Sequence, residues 1–542
     1  ASGSITSWQI QAAVRIVLDT LGEVDDPLPE SVRDKHGLVD KATALRMIHR
    51  PESMEEVKAA LERLKFEEAF CLLSILAQRR AEFSSMPATA RTSIAGPLLT
   101  DFDARLPFTL TGGQVTIGQE IFDDLGATHP MHRLVQGDVG SGKTIVAALA
   151  AVQAIDNGYQ AVLMAPTEIL AEQHFRKIAA LIEPFGVQVV WLTGSLKKRE
   201  KEAARALIES GSAQLVIGTH ALIQEDVLFA RLGLVIVDEE HEASFKQYDP
   251  SPRYTARDAA IVLAKFHEAK VLLGSATPAI ETYYNALQGK YNLVNLQERY
   301  KGLQLPSMLC ADLKREKKLK NMQSHFSSLL LTEMRSVLEK KEQIILFQNR
   351  RGYTPIWSCE VCSWTPRCQH CDVSLTYHKH SNMLKCHYCS YTIPPVGSCT
   401  ACGSNRLRMI GFGTEKIEDE LQLMFPQTVF KRMDLDSTRS KHAYEEIIDD
   451  FSNRRIDVLI GTQMVTKGLD FDHVSLVGIL DADMLLNRPD FRAYERAFQL
   501  MSQVAGRAGR KEKQGKVVIQ SAQAEHWVLE RVMAHDFKGF FE

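Results

Sequence analysis

Short apolar runs recur along most of the chain, and each one ends in small or polar residues. Five of them lie in the first half, at residues 161–166, 188–194, 213–220, 232–241 and 270–278. Five more follow in the second half, at residues 343–350, 430–436, 456–463, 474–483 and 515–521. Segments with a helical spacing of apolar residues separate most of the runs. Strands that alternate with helices predict parallel sheets with functional residues at the strand ends, so we predict an α/β fold with two such domains in tandem.

The region before residue 98 has a different pattern. Residues 53–80 place apolar side chains at helical spacing with charged residues between them, which predicts a scaffold helix. The apolar positions are Val57, Leu61, Leu64, Phe70 and Leu73. Residues 84–97 are small and polar with two prolines, as is typical of a linker. We therefore predict a helical segment and linker over residues 1–97.

The composition is that of a globular protein with several domains. The chain has 542 residues, of which 45% are hydrophobic and 24% are charged, and its formal net charge is −3. The sequence contains no apolar run of membrane-spanning length and no signal peptide, which predicts a cytoplasmic protein that binds no membrane. Because the net charge shows no general bias towards nucleic acid, any nucleic-acid surface is expected to be local.

Residues 137–144 carry the spacing of a phosphate-binding loop, G-x-x-x-x-G-K-T. Glycine lets the backbone N–H groups face inward, and the helix that follows points its positive end at an anion. The residues that this pattern assigns to a nucleotide are Gly137, Gly140, Gly142, Lys143 and Thr144. Lys143 can reach the terminal phosphates, and the Thr144 hydroxyl can hold Mg²⁺. The alternative is an ordinary glycine-rich turn, but the flanking strand and helix patterns favour nucleotide binding.

Asp238 and Glu239 follow an apolar run about 100 residues after this loop. In a nucleotide hydrolase, an aspartate at such a position orders Mg²⁺, and the neighbouring glutamate positions or deprotonates the attacking water. A pair of solvated carboxylates at a strand end is the alternative. Because the phosphate loop lies upstream, we predict that both residues are catalytic.

Two arginines lie in the glycine-bounded segment 503–510. Arg507 and Arg510 have the close backbone approach that arginines need to stabilise a terminal phosphate from across a cleft. A basic surface turn is the alternative. We predict that both arginines complete the catalytic site.

Eight of the ten cysteines form four C-x-x-C pairs between residues 359 and 402. Each pair can hold one metal ion with two thiolates, so eight thiolates can form two Cys₄ zinc sites. The spacing does not decide which pairs share a zinc ion, and a redox role for a single pair is the alternative. The segment is too small for a sizeable core, so metal is expected to supply its folding energy.

Residues 244–258 interleave aromatic and cationic side chains, a combination that suits single-stranded DNA. The residues that we assign to DNA here are Phe245, Lys246, Tyr248, Arg253, Tyr254 and Arg257. A well-packed surface loop is the alternative. The small-residue loop 462–471 adds Thr466 and Lys467 as candidate contacts to nucleic-acid phosphate.

Taken in order, these stretches resemble the motif series of superfamily 2 helicases. The series comprises residues 137–144, 165–174, 238–241, 274–278, 461–471 and 503–510. Residues 106–114 resemble the adenine-reading element of that group, which implies that Gln114 contacts the base. The resemblance implies two RecA-like helicase domains, at residues 98–300 and at residues 301–355 with 407–542, and ATP with Mg²⁺ in the cleft between them.

A closer resemblance divides the chain near Asp238. Residues 30–237 are similar to the branched-DNA helicases of the RecG family, and residues 238–542 are similar to the replication-restart helicases of the PriA family, as in a hybrid. The PriA resemblance implies a zinc insertion at residues 356–406. It also implies one zinc ion on Cys359, Cys362, Cys399 and Cys402, and a second on Cys368, Cys371, Cys386 and Cys389.

These resemblances imply an ATP-dependent DNA helicase or translocase of 3′-to-5′ polarity. It is expected to act on branched or stalled-fork DNA in replication restart, recombination and repair. Single-stranded and branched DNA, single-stranded-DNA-binding protein and primosome proteins are the implied partners, and we expect a monomer. Two alternatives remain open: an RNA helicase, because the motor motifs do not distinguish the sugars, and a zinc-stabilised DNA-binding scaffold whose hybrid motor is impaired.

Overall fold

We analysed the protein as a computed structural model. It describes residues 7–22, 24–84, 97–127, 131–138, 140–247, 253–296, 304–348, 356–359, 361–362, 364–371, 373–378, 383–386, 389–410, 414–434, 441–466, 471–509 and 514–542. The chain forms two compact units, Ala1–Pro87 and Ala88–Glu542.

The first unit is helical, as its sequence predicts. Its four helices are α1 (Ser7–Asp19), α2 (Glu30–His36), α3 (Lys41–His49) and α4 (Met54–Ser84). The helical spacing of α4 is confirmed, but Leu61 and Leu73 are exposed, and the side chains that the unit buries there are Ala60 and Arg63.

The buried guanidinium of Arg63 organises this unit. It contacts both Asp26 and Glu67, and its Nε donates a 2.9 Å hydrogen bond to the carbonyl oxygen of Val39. Burial alone would raise the pKa of Asp26. The backbone N–H groups of Leu28 and Lys41 donate hydrogen bonds to Asp26, as does the side chain of Arg33, and Arg63 adds its positive charge. Together these contacts outweigh burial and hold the pKa of Asp26 below its ordinary value. The carboxylate of Asp26 is therefore an ionised partner of Arg63.

The second unit begins with a seven-stranded parallel sheet in the order β3-β4-β2-β5-β6-β1-β7. Its strands are β1 (His132–Gly137), β2 (Gln160–Met164), β3 (Val189–Leu192), β4 (Leu215–Gly218), β5 (Leu232–Asp238), β6 (Lys270–Ser275) and β7 (Asn292–Leu296). Its helices are α5 (Pro97–Ala104), α6 (Gly112–Gly126), α7 (Lys143–Asp156), α8 (Glu168–Ile182), α9 (Lys198–Glu209), α10 (Ala256–Phe266) and α11 (Ile280–Leu287). We call this sheet and its helices domain 1.

Helices cover both faces of the sheet of domain 1. In β5, Leu234 and Ile236 join the core under α7 and α8, whereas Val235 and Val237 join the core on the opposite face. Successive side chains of a strand point to opposite faces, so a strand that is covered on both sides is apolar throughout. This burial explains the continuous run that ends at Asp238.

A second parallel sheet has six strands in the order β15-β16-β9-β17-β18-β8. Its strands are β8 (Ser307–Asp312), β9 (Gln343–Phe347), β15 (Phe430–Met433), β16 (Val458–Gly461), β17 (Val474–Ile479) and β18 (Lys516–Ser521). Its helices are α12 (Leu313–Lys318), α13 (Ser328–Glu339), α14 (Thr414–Met424), α15 (Lys441–Ser452), α16 (Ala482–Leu486), α17 (Ala493–Ala505), α18 (Trp527–Met533) and α19 (Phe537–Phe541). We call this part domain 2.

A small antiparallel sheet is inserted between β9 and α14 of domain 2. Its order is β13-β12-β11-β10-β14, and its strands are β10 (Ile356–Cys359), β11 (Thr376–His378), β12 (Met383–Lys385), β13 (Thr392–Ile393) and β14 (Leu407–Ile410). We call it the zinc module, since it contains the eight paired cysteines. The predicted α/β class with two tandem parallel sheets and a cysteine-rich insertion is confirmed, while the domain limits drawn from the sequence stay predictions. Among the described residues, no helix is long and apolar enough to cross a membrane.

The first unit yields a stability prediction. Replacing Arg63 with alanine removes the buried cation that Asp26 and Glu67 share, while Arg33 and Lys41 still pair with the two acids, and we expect this to cost about 1–3 kcal/mol. Hydrogen exchange of the α3 and α4 amides in the full chain measures the loss. Arg50→Ala is the control: the Arg50 side chain is 66% exposed, 3.4 Å from Asp19, and its loss should cost less than about 0.5 kcal/mol. Equal exchange in the two variants would contradict the central role of Arg63.

Candidate active site and zinc module

The phosphate loop joins β1 to α7. Gly140 and Gly142 have φ angles of 88° and 89°, in the left-handed region that side chains disfavour. Lys143 begins α7 and bends back over the loop, where its Nζ donates hydrogen bonds to the carbonyl oxygens of Gly137 at 2.6 Å and Asp138 at 3.2 Å. The buried Ser141 hydroxyl has no hydrogen-bond partner among the described residues. A movable cation, a helix N-terminus and an unused hydroxyl fit an anionic phosphate group.

Gln114 lies against this loop. It is the third residue of α6, where its Oε1 accepts a hydrogen bond from the Thr111 N–H at 3.0 Å and its backbone N–H donates to the Thr111 hydroxyl. Its Nε2 donates a 2.9 Å hydrogen bond to the carbonyl oxygen of Ser141. The side chain is buried, and it joins the start of α6 to the phosphate loop. A contact to adenine stays a prediction.

Asp238 is the last residue of β5, and its carboxylate is held by a histidine that the sequence analysis did not single out. His174, on α8, places its Nε2 2.8 Å from Asp238 Oδ2. Burial would raise the pKa of Asp238, but the hydrogen bond and charge of His174, with the charge of Lys143, lower it overall. Asp238 is therefore ionised, as a ligand for a divalent cation must be.

Glu239 has the opposite electrostatics. Burial first, and then the charge of Asp238, raise the pKa of its carboxyl group. Its Oε2 is buried without a hydrogen-bond partner among the described residues, and it lies 3.6 Å from His241 Nδ1. The backbone of Glu239 has a φ angle of 50°, a strained conformation that costs about 1 kcal/mol in a residue other than glycine. A strained, proton-accepting carboxylate beside an ionised one is a typical catalytic arrangement.

His241 connects three of the sequence motifs. Its Nδ1 lies 2.7 Å from the Ser275 hydroxyl, and its Nε2 lies 2.9 Å from Gln503 Nε2 on α17 of domain 2. An amide nitrogen can only donate, so His241 Nε2 accepts, and in the neutral ring Nδ1 carries the proton and donates to Ser275. A single ring thus links the segments 238–241, 274–278 and 503–510 across the two domains.

Domain 2 also approaches the phosphate loop. A cavity of about 350 Å³ between the domains is lined by Gly137 and Asp138 on one side and by Ser502 and Gly506 on the other. Arg507 follows Gly506 and is buried beside Tyr444. Arg510 lies outside the described residues. The structure therefore brings the segment of one predicted arginine to the cleft, while the catalytic roles of both stay predictions.

The two described ends of the aromatic and basic segment after the carboxylates pair with each other, and we call these residues, 246–247 and 253–255, the hairpin. Lys246 pairs with Thr255, and the Gln247 N–H donates a 2.9 Å hydrogen bond to the Tyr254 carbonyl oxygen. Lys246 and Arg253 are exposed, as a contact to DNA requires, and Tyr254 is half-buried. Tyr248 and Lys467 lie outside the described residues, as does the side chain of Thr466.

Two residues of the predicted DNA surface need correction. Phe245 is 3% exposed and packs in the core of domain 1. Arg257 is 9% exposed, and its Nη1 donates a 2.9 Å hydrogen bond to the buried carboxylate of Glu240. Neither side chain faces a strand of DNA outside the protein, because apolar packing encloses the first and an ion pair holds the second.

The cysteines form two groups of four, and in each group all four sulfur atoms lie within 4.8 Å of one another. The groups are Cys359, Cys362, Cys399 and Cys402, and Cys368, Cys371, Cys386 and Cys389. Sulfur distances of 3.6 Å (Cys359–Cys402), 3.4 Å (Cys362–Cys399) and 3.5 Å (Cys368–Cys389) are close to the ~3.8 Å edge of a tetrahedron with Zn–S bonds of ~2.3 Å. The donor sets fit zinc, and the nested grouping is the one that the PriA resemblance implies.

The zinc module packs on the start of α17. Arg367, next to Cys368, donates a 2.7 Å hydrogen bond from Nη2 to the hydroxyl of Tyr494. The Thr365 hydroxyl lies 3.4 Å from Asn487 Oδ1, and both residues are buried. The module is thereby attached to the start of α17, the helix that carries Gln503 in its last turn and precedes Arg507.

Three family models match the chain in an order that follows this architecture. They are the DEAD/DEAH box helicase at residues 116–286, the PriA DNA helicase Cys-rich region at residues 368–394, and the helicase conserved C-terminal domain at residues 404–512. The chain thus carries both helicase domains of superfamily 2, with a PriA-type Cys-rich region inserted in the second. The two helicase models cover the phosphate loop, the carboxylates and the segment that contains Arg507.

Individual relatives refine the comparison. This helicase is 38% identical over 436 residues to the replication restart protein PriA of Bacillus subtilis, which covers 80% of this chain and 53% of that protein. It is 38% identical over 410 residues to PriA of Rickettsia conorii, covering 75% and 62%. A solved structure of RecG bound to a three-way DNA junction shares the fold, with a TM-score of 0.55, 23% identity, and coverage of 99% of this chain and 59% of RecG. The chain thus spans 53–62% of the length of these PriA relatives.

The likeness to PriA extends across both domains. The segment from Asp238 to Glu542 contains 305 residues. The match to the Bacillus subtilis protein covers 80% of the chain, so it must include more than 100 residues before Asp238. The RecG structure supports the shared fold of the helicase. The position of a junction between two parental sequences stays a prediction.

The raised pKa of Glu239 yields a testable effect on stability. Below the pKa of an unfolded glutamate, the carboxyl group is protonated in both the folded and the unfolded protein, and its burial does not lower the free energy of unfolding. Above the raised pKa of the folded protein, Glu239 is charged in both states, so folding must bury this charge beside Asp238 and the free energy of unfolding falls. Glu239→Gln should therefore raise the midpoint of thermal unfolding at pH 7.5, and the gain should vanish by pH 4. Glu202→Gln, at a carboxylate with 59% exposure, is the control and should show neither effect. A pH-independent gain would contradict the titration of Glu239.

Proposed function

We propose that this chain is the motor of an ATP-dependent DNA helicase or translocase of 3′-to-5′ polarity that acts on branched or stalled-fork DNA. The observation that carries the proposal is the link through His241, which joins the carboxylate segment of domain 1 to Gln503 of domain 2 beside the phosphate loop. Because the His241 ring makes hydrogen bonds to both domains that line the cleft, nucleotide binding in the cleft can be coupled to domain closure.

The residues of the cleft have complementary roles in this proposal. Lys143 leaves the carbonyl oxygens of its own loop and binds the terminal phosphates, and Thr144 and Asp238 hold Mg²⁺, which when bound neutralises phosphate charge. The loop glycines, Gly137, Gly140 and Gly142, let the backbone approach the phosphates, and Gln114 reads the base. Arg507 and Arg510 add positive charge from domain 2 when the cleft closes.

Glu239 acts on the attacking water. Its carboxylate accepts a proton from the water as the oxygen approaches the terminal phosphorus, and the raised pKa makes the carboxylate a better proton acceptor than an exposed glutamate. Asp238 remains ionised because His174 holds it. The two neighbouring acids therefore divide the work: the first stays charged beside the cation and the second takes the proton.

DNA is proposed as the track for two reasons. The curated relatives are replication restart proteins, and the solved structure that shares the fold is RecG on a DNA junction. Lys246 and Arg253 are exposed on a hairpin that begins six residues after Glu240, so a strand that binds them lies close to the catalytic carboxylates. Single-stranded-DNA-binding protein and primosome proteins are proposed as further partners in replication restart, recombination and repair.

Two zinc ions are proposed in the zinc module, one in each group of four cysteines. The module buries a small apolar cluster of Val373, Leu375 and Leu384 with two cysteines, so it has little core of its own. Metal coordination supplies the missing folding energy in such segments. We propose that the second zinc ion fixes Arg367, and through it the contact to Tyr494.

The motor proposal predicts the behaviour of a Lys143→Ala variant. Wild-type protein should hydrolyse ATP, and forked DNA should stimulate the rate. Loss of the phosphate-binding cation should lower the DNA-stimulated rate at least about 100-fold, the scale of losing one charge-stabilising donor. A coupled assay of phosphate release with and without forked DNA measures this. Lys198→Ala, at a side chain with 92% exposure, is the matched control and should retain the wild-type rate.

The same assay separates the alternatives. Equal stimulation by matched DNA and RNA strands would favour an RNA helicase. A folded wild-type protein with two zinc ions and no hydrolysis would favour a DNA-binding scaffold. Stimulation by DNA that Lys143→Ala leaves intact would contradict the proposed phosphate site.

The zinc proposal predicts a stoichiometry. Purified protein should contain two zinc ions, and Cys371→Ser should retain one, because Cys359, Cys362, Cys399 and Cys402 form a separate group. Elemental analysis of the purified variants measures zinc content directly. Cys71→Ser alters a lone cysteine of the first unit and is the control with two zinc ions. Loss of both ions in Cys371→Ser, or of neither, would contradict two independent sites.

A further inference from the structure

Glu240 is a buried acid for which the catalytic proposal has no use. It follows Glu239, and its side chain has no exposed surface. Its Oε1 accepts a 2.8 Å hydrogen bond from the Ala279 N–H, and its Oε2 accepts from the Thr282 hydroxyl at 2.8 Å and from Arg257 Nη1 at 2.9 Å. A buried carboxylate with three donors is immobile, so Glu240 fixes the peptide that holds Glu239 in its strained conformation.

Arg257 holds this acid from the side of the hairpin. It is the second residue of α10 and lies two residues after Thr255, which forms an isolated bridge with Lys246. Its guanidinium contacts three further groups: Nη1 donates to the Thr282 hydroxyl at 3.0 Å, Nε donates to Asp258 at 2.8 Å, and Nη2 lies 3.8 Å from Glu281 Oε1. The planar fork of an arginine is needed to reach all of them at once.

The chain of charges continues into domain 2. Glu281 Oε2 accepts a 2.8 Å hydrogen bond from Arg492 Nη1, and the same nitrogen lies 3.1 Å from Glu495 Oε2 on α17. Glu495 Oε1 in turn accepts a 3.0 Å hydrogen bond from the Ile280 N–H of domain 1. Alternating acids and arginines thus run from the residue beside Glu239 to the start of α17. We call this series the ion-pair ladder; its members are Glu240, Arg257, Glu281, Arg492 and Glu495.

The pairs of this series differ in burial. Glu240 and Arg257 have side chains that are 0% and 11% exposed, whereas Glu281 and Arg492 are 42% and 34% exposed, and Glu495 beyond them is 7% exposed. Removing a partner from a buried pair leaves a desolvated charge, but the partners of a partly exposed pair separate into water at little cost. The buried Glu240–Arg257 pair therefore stays formed when the domains move, and we call this pair the brace. The partly exposed Glu281–Arg492 pair can open and close with the domains.

We propose that Arg257 is a positioning residue that connects the DNA-facing hairpin to Glu239 through Glu240, and that Glu281 and Arg492 are the reversible contact by which domain 2 engages this brace. The inference rests on the proposed function, since it assigns the coupling within that active site. A strand that moves the hairpin moves α10, and α10 carries Arg257. Closure of the cleft adds Arg492 to the same ladder and aligns Glu239 for the attack of water.

The test is an Arg257→Lys variant, which keeps the positive charge but loses the fork. At saturating forked DNA, its kcat for ATP hydrolysis should fall about tenfold, on the scale of a misplacement of less than 1 Å. The KM for ATP and the DNA concentration at half-maximal stimulation should stay within about twofold, because neither ligand touches Arg257. Arg133→Lys is the matched control: it alters a buried arginine that pairs with Glu120 and Asp124 of domain 1, outside the ladder. It should leave kcat unchanged.

A second series does not depend on a buried residue. Arg492→Gln and Glu281→Gln should each lower the kcat at saturating DNA about threefold or more. The double variant should lose clearly less than the product of the two single losses, because both variants remove the shared Glu281–Arg492 contact, while Arg492 also contacts Glu495 and Glu281 also lies near Arg257. Additive losses would overturn the proposed contact. If Arg257→Lys raises the DNA concentration for half-maximal stimulation and keeps its kcat, Arg257 contacts DNA and the inference fails. If wild-type protein shows no stimulation at all, the proposed function itself fails.

Discussion

Two adjacent carboxylates at the buried end of β5 set the electrostatics of the cleft. Asp238 and Glu239 cannot both be cheaply ionised so close together out of water, and the surrounding groups decide which of them carries the charge. His174 and Lys143 stabilise the charge of Asp238 and lower its pKa, whereas Glu239 has no hydrogen-bond donor on Oε2 among the described residues, and its pKa rises. The asymmetry favours the charged form of one acid and the protonated form of the other, which supports the proposed roles of a cation ligand and a proton acceptor.

Much of the architecture could be predicted from the sequence because it depends on local periodicity. The apolar runs of the sheets are continuous because helices bury both faces, and the residues that follow β1, β5 and β6 meet at one edge of a parallel sheet. The phosphate loop, the carboxylate segment and the segment around Ser275 are therefore neighbours by topology. The metal-binding role of the cysteines could also be predicted from the sequence, since four C-x-x-C pairs in one short segment leave few arrangements other than two zinc sites.

The residues that sequence reasoning missed owe their roles to long-range packing. The sequence around His174 predicts only a helix, and its contact with Asp238 arises because α8 packs beside β5. Gln503 contacts His241 because the two domains pack together. Phe245 and Arg257 were misassigned for a related reason: alternating aromatic and basic residues look the same whether they face solvent or meet a core and a buried acid. One signal was available. Arg257 lies at the start of an amphipathic helical pattern, where the apolar neighbours Ala256 and Ala260 are buried.

Helix α17 takes part in contacts with the zinc module and with domain 1. At its start, Tyr494 receives the hydrogen bond of Arg367 from the zinc module, and Glu495 accepts from the backbone of domain 1. Two turns later, Gln503 donates to His241 on the same face as Glu495, since a spacing of eight residues returns to one side of a helix. A rigid helix that is held at both ends cannot shift at one contact without disturbing the others. The zinc module, the ion-pair ladder and His241 therefore all contact the same helix, and the proposed zinc site beside Arg367 is connected through this helix to the cleft.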